Sequence, residues 1–172
     1  MNTIDFTRID YLKQGNSRQK KAFEVVNKYK IFEKLQNYSP VLAGTIPIEI
    51  DIEGSDLDII CEIQDNFEFE MFLDQTFPDC DLKIQTLTIN EIESTICNLE
   101  LEGFPIEIFG QNKPVAQQNA YLHMMAEYKI IQKKGEDFKQ KIIDLKKKGI
   151  KTEPAFGMLL NLENPYQDLL NF

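Results

Sequence analysis

The chain has one histidine, His123, and three cysteines, Cys61, Cys80 and Cys97, with neither a CxxC pair nor a Cys/His spacing that suits zinc. An odd number of widely spaced thiols also speaks against a disulfide scaffold, so buried or idle thiols in a reducing compartment are the simpler reading. No segment approaches the roughly 20 apolar residues of a membrane-spanning helix. The opening stretch MNTIDFTRIDYLKQG lacks a basic region followed by an apolar one, so no secretion signal and a cytoplasmic location are expected. Cations are scarce too. Nineteen Lys and Arg against 28 Asp and Glu leave a formal net charge of −9, which disfavours a nucleic-acid partner, because each phosphate contact needs a local cation.

What is present is ordinary for a globular protein: 42% hydrophobic and 27% charged residues over 172 positions. That length suits one compact unit burying about two-thirds of its unfolded surface. The charge is uneven, with nine lysines against three acids between Lys129 and Lys151. A solvated helix face is the usual meaning of such a run, and a cationic wall for a nucleoside triphosphate is the sharper one.

Apolar side chains at Ala22, Val25, Val26, Tyr29, Phe32 and Leu35 predict a helix from Ser17 to about Tyr38, capped by Asn16 or Ser17. The runs PVLAG, DLDIICEI, LKIQTLTI, STICNLEL and FPIEIFG read as strands, with FEFEMFLDQTF as a helix among them. Helices follow over Val115 to Lys133 and Phe138 to Lys147, and a last one opens at TEPAF with Thr152 as cap and Pro154 in its first turn. Strands first and helices massed at the end predict an α+β fold with a mixed sheet. The change near Lys113 and Pro114 divides a core of residues 1–112 from a C-terminal helical segment of residues 113–172 packed on it.

The stretch GTIPIEIDIEGSDLDIICE, Gly44 to Glu62, places two acids in an apolar run. In a strand Asp56 and Asp58 project from one side about 6.6 Å apart. Convergent carboxylates repel by about 4 kcal/mol at about 4 Å and an effective dielectric near 20, so a cation belongs between them. Magnesium fits, since it takes one or two carboxylates plus substrate phosphates, and a pair of such ions serves in-line phosphoryl transfer. Glu107, between Ile106 and Ile108, offers a third carboxylate. Gly44 and Thr45 end a strand in a turn whose N–H groups and hydroxyl could hold phosphate oxygens.

A hydrophobic strand ending in Gly44-Thr45, ten residues, then Asp56-Leu57-Asp58, and later the lone Glu107, resembles the signature of the DNA polymerase β-like nucleotidyltransferase superfamily. The whole chain, including VAQQNAYLHMMAEYKII and GIKTEPAFGMLL, also resembles a family of bacterial proteins of unknown function assigned to that superfamily by its motif. The resemblance implies a minimal palm-like fold, two magnesium ions held by Asp56, Asp58 and Glu107, and transfer of a nucleoside monophosphate from a nucleoside triphosphate such as ATP. Glu107 would complete the second metal site and assist deprotonation of the acceptor. Gly44, Thr45 and Ser55 would hold the β and γ phosphates. Thr45 stands where serine is commoner, and the spacer IPIEIDIEGS is acidic and β-like rather than helical.

Plainer meanings stand beside these. An EF-hand frame over Asp51 to Glu62 fails at its sixth position, where Asp56 replaces glycine. Gly54-Ser55-Asp56 is good turn chemistry, but that explains neither Asp58 nor Glu107. His123 and Glu127, four residues apart, predict a surface pair on one helical face; the superfamily resemblance instead turns Gln118, His123 and Glu127 toward the cleft as acceptor or base contacts. Arg18 and Gln19 suit solvent or phosphate equally. The function expected is a magnesium-dependent nucleotidyltransferase acting on a small-molecule or protein acceptor. Its rivals are a non-catalytic binding module, for example a toxin-antitoxin component, and an RNA-directed enzyme using the lysine-rich segment.

Overall fold

The computed structural model describes residues 4–172. Helix α1, Ser17–Lys28, starts at Asn16, whose side chain accepts the Gln19 N–H at 2.9 Å while Gln19 Oε1 accepts the Asn16 N–H at 3.1 Å. Two otherwise orphaned donors are satisfied by this reciprocal capping box. The helix does not run on to Tyr38. Lys30 takes a left-handed conformation (φ 53°), and the chain restarts as α2, Ile31–Lys34, followed by a 3-10 turn over Gln36–Tyr38. That break ends the hydrogen-bond ladder and redirects the chain so that Ile31 and Leu35 are fully buried.

Strand β1, Val41–Ala43, and strand β2, Leu57–Glu62, precede helix α3, Asn66–Thr76. Strands β3, Lys83–Ile89, β4, Ile92–Leu101, and β5, Phe104–Gln111, then form a meander. Its hairpins turn through Asn90-Glu91 (φ 49° and 66°) and Glu102-Gly103 (φ 53° and 73°), two-residue loops with the positive φ values that match strand twist. The sheet order is β1-β2-β5-β4-β3, with β2 and β5 parallel and the other pairs antiparallel. Four helices follow: α4, Asn119–Lys134; α5, Glu136–Lys147; α6, Thr152–Leu160; and α7, Pro165–Asp168. Thr152 is the first helical residue and does not cap α6. Its cap could not work, because Pro154 has no N–H and the Ala155 N–H is already bonded to Lys151 O at 3.0 Å.

The mixed α+β architecture expected from the order of elements is therefore present. Period-two alternation sorts the residues of β1, β2 and β5 between two cores. Leu42, Leu57, Ile59, Ile106 and Ile108 join α1 and α3 on one face. Val41, Ala43 and Ile60 join Met124, Ile142 and Phe156 of the C-terminal helices on the other. Asp58 and Glu107 alternate with the first set, so they emerge on the face covered by α4 to α6. Among the described residues no helix is long and apolar enough to cross a membrane.

Candidate active site

Asp58 and Glu107 are direct partners in the register of parallel strands β2 and β5. Neighbouring strands lie about 4.8 Å apart, so the two carboxylates start side by side on one face. On the other flank Asp58 pairs with Ala43, and Gly44 follows with φ +76°. A Cβ at Gly44 would overlap Asp58 Oδ2, so the position demands glycine both for its backbone and for room. Asp56 lies just before β2, on the loop that delivers the strand. Arg18 fixes that loop. Its guanidinium donates to Ser55 O and stacks over the Phe104 ring at 4.4 Å, while Ser55 Oγ accepts the Ile52 N–H at 2.9 Å.

The electrostatics follow from this crowding. Burial, then the charges of Asp56 and Glu107, push Asp58 up to about 8, with Lys146 opposing. Burial and Asp56 likewise raise Glu107. Like charges confined in a poorly solvated place favour protonation unless a cation joins them.

Asp58 and Glu107 open into a cleft of about 370 Å³ together with Gly44 and Thr45. The opposite wall carries Gln118, His123 and Glu127 of the α4 region and Glu153 of α6. The Gln118 amide nitrogen donates to Cys61 O and Lys113 O, both at 2.9 Å. His123 Nε2 lies 2.8 Å from Tyr166 O, and its Nδ1 lies 3.5 Å from Glu153. The Glu153 carboxylate raises the His123 pKa against a burial effect of opposite sign. Burial pushes Glu153 upward, but His123 and its own backbone N–H outweigh that and hold it below the usual range. Glu127 is only 3% exposed. Lys146, 7% exposed, donates to Ile50 O at 2.7 Å, and burial lowers its pKa.

Residues 24–172 match the model of a family described as a domain of unknown function, DUF4269. The chain belongs to that family. No curated protein matches it significantly. Solved structures do share its fold. The Cid1 poly(U) polymerase with MgGTP bound superposes with a TM-score of 0.56 at 10% identity, over 80% of this chain and 46% of that one. The GLD-2/RNP-8 complex gives 0.56 at 11% identity over 88% and 60%. The polymerase core of TRAMP, an RNA surveillance complex, gives 0.55 at 7% over 94% and 50%. These are polymerase β-like nucleotidyltransferases, and at such identities the likeness is one of fold. The chain spans about half the length of the Cid1 structures it matches.

Within the DUF4269 chain, the folded structure gathers Gly44, Thr45, Asp58, Glu107, Gln118, His123 and Glu127 around one cleft. Ser55 and Asp56 stand outside its lining. Among the described residues no group of three or more His, Cys, Asp or Glu is gathered closely enough to form a ready-made metal cage. The expected His123–Glu127 pair is not formed: α6 presents Glu153 to His123, and Glu127 is buried, within reach of the charges of Glu153 and Lys146. No lysine of residues 129–151 lines the cleft, where Lys113 is the lysine present. Lys139 instead pairs with Glu49 at 2.6 Å.

Glu153 and Lys146 have no place among the residues expected from sequence. Lys146 could have been found, since it falls four residues after Ile142 on the apolar stripe of α5. Glu153, beside Pro154 in an ordinary first turn, carried no such signal.

Proposed function

We propose that the cleft transfers a nucleoside monophosphate from a nucleoside triphosphate to a small-molecule or protein acceptor. The observation that carries this reading is the registered Asp58–Glu107 pair, pressed against Gly44 and under the charge of Asp56. An acceptor oxygen forms a bond to the α-phosphorus, the bond from that phosphorus to its bridging oxygen breaks, and pyrophosphate leaves with the electron pair. The acceptor proton passes to Glu107, which stands beside Asp58 in the strand register.

Magnesium fits the donor set, because three mutually repelling carboxylates lack a balancing cation and magnesium fills its remaining positions with water and phosphate oxygens rather than needing a protein cage. Asp56, Asp58 and Glu107 would hold two such ions, which supply neutralising charge at the phosphates when bound. Gly44 and Thr45 offer the turn at which triphosphate oxygens bind, with close approach permitted by the glycine. Ser55, its hydroxyl engaged with Ile52 N–H, contributes by setting the loop that carries Asp56. The net charge of −9 makes a long nucleic acid the less suitable acceptor.

Isothermal titration of the four common ribonucleoside triphosphates, with and without magnesium, tests this. Metal-dependent binding of at least one is expected, and binding of none removes the proposal.

A further inference from the structure

Asp58 and Glu107 owe their places to strand register, whereas Asp56 stands on the loop before β2. Something other than the sheet must fix its carboxylate. The turn at residues 52–55 closes on itself, through Ser55 N–H to Ile52 O at 3.0 Å and Ile52 N–H to Ser55 Oγ at 2.9 Å. Local bonds of this kind shape a turn without tying it to the rest of the molecule. Arg18 supplies the tie, because its guanidinium donates to Ser55 O, the carbonyl of the peptide bond that leads into Asp56. The planarity of that bond passes the restraint to the Asp56 nitrogen and Cα.

Arg18 is itself firmly held. It is the second residue of α1, whose start is set by the Asn16–Gln19 capping box. The next residue, Gln19, 2% exposed, donates to Ile46 O at 2.9 Å and Pro47 O at 3.3 Å, just beyond the Gly44-Thr45 turn. One helical turn thus grips both loops that border the carboxylates. The Arg18 guanidinium also lies over the ring of Phe104, the first residue of the strand that carries Glu107. Among the described residues its Nε has no partner and is closed from solvent, so carbonyl and ring, rather than water, hold the group. A planar, stacked fork is better pre-organised for such a task than a flexible ammonium. Its charge acts on Asp51 of the same acidic loop as well.

We infer that Arg18 is a positioning residue for the metal site: by holding the Ser55 carbonyl it sets where the Asp56 carboxylate stands, and so governs how tightly the site takes a divalent cation. That Asp56 is a metal ligand rests on the function proposed above.

The charge of Arg18 and its hydrogen bond predict opposite results. Deleting a cation beside acids strengthens cation binding by Coulomb's law, whereas freeing the Asp56 loop weakens it. The probe is Mn2+ alone, titrated into the full chain without nucleotide and followed by electron paramagnetic resonance, with urea midpoints to confirm folding. Arg18→Met removes the charge and the donor but keeps an unbranched stem, and should bind Mn2+ about tenfold more weakly than wild type, the scale of releasing the backbone of one residue. In an Asp56→Asn background the same substitution should change affinity by less than about threefold, because no carboxylate remains to be placed. Arg18→Lys, which keeps the charge and one donor, should fall between wild type and Arg18→Met, and it carries the same comparison should Arg18→Met not fold. An Arg18 variant that binds Mn2+ as tightly as wild type or more tightly, or a loss that persists undiminished in Asp56→Asn, overturns the inference and leaves the metal site standing. Absence of Mn2+ binding by the wild type removes both the inference and the magnesium assignment.

Discussion

Replacing Asp58 with asparagine should stabilise the protein in the absence of metal. The Asp58 carboxyl, raised from 3.8 to about 8, is more readily protonated in the folded chain than in the unfolded one. For a raised carboxylate the folded state binds the extra proton between those two values, so stability falls as pH climbs through that window. At pH 7 the part of that separation lying below the working pH, about 3 pH units, corresponds to a ceiling of about 4 kcal/mol. Water and side-chain relaxation around the cleft bring the expected gain from Asp58→Asn to about 1–4 kcal/mol, a rise of about 3–12 °C in melting temperature for a chain of this size. Asparagine matches the protonated acid in shape and removes the charge that Asp56 and Glu107 oppose. Differential scanning calorimetry from pH 4 to pH 8 gives the decisive comparison. The gap between variant and wild type should be small near pH 4, where the carboxyl is protonated in most folded and many unfolded molecules, and should widen steadily toward pH 8. Added magnesium should close the gap by stabilising the wild type alone, since only it offers the complete carboxylate set. A gap independent of pH, or a variant less stable than wild type at pH 8, would refute the electrostatic account of the site.

Gly44→Ala places a methyl group against Asp58 Oδ2 at a backbone φ of +76°, and should cost about 1–3 kcal/mol, read as a lower denaturation midpoint in urea. An unchanged midpoint means that Asp58 is not held where the register places it. The His123 ring should titrate above its usual 6.5 because of Glu153, and proton NMR of the single imidazole should show that value dropping in Glu153→Gln. Since the His123 pKa is raised by folding, its stabilising contribution is present in full below about pH 6.5 and fades as pH rises through the folded value. An identical titration in the two proteins removes the His123–Glu153 pair as the cause.

Much of the site was legible in the order of residues. Asp58 and Glu107 interrupt apolar runs, and a strand buried on both faces has no reason to admit an acid unless one face opens on something polar. Their side-by-side placement was not legible, because it depends on β5 returning parallel to β2 between that strand and β4. Ser55 illustrates the opposite limit. Its position in the motif suggests a phosphate contact, yet its hydroxyl closes the Ile52 turn, a local competition that spacing does not reveal. The break at Lys30 is of the same kind: the apolar stripe continues to Leu35, but packing turns the chain within it.

By itself, the sequence determined the α+β order of elements, a helix start at Asn16 or Ser17, and the identity of the acids that interrupt the strands, because each of these follows from local periodicity and local hydrogen bonding. Only the tertiary structure decided which charges face one another. Helices α4, α5 and α6 are far from the aspartate motif along the chain, and their packing over one face of the sheet brings Glu127, Lys146 and Glu153 within electrostatic reach of one another and of Asp58. Coulomb energy depends on distance and on the exclusion of water, and both are set by the folded core rather than by residue spacing.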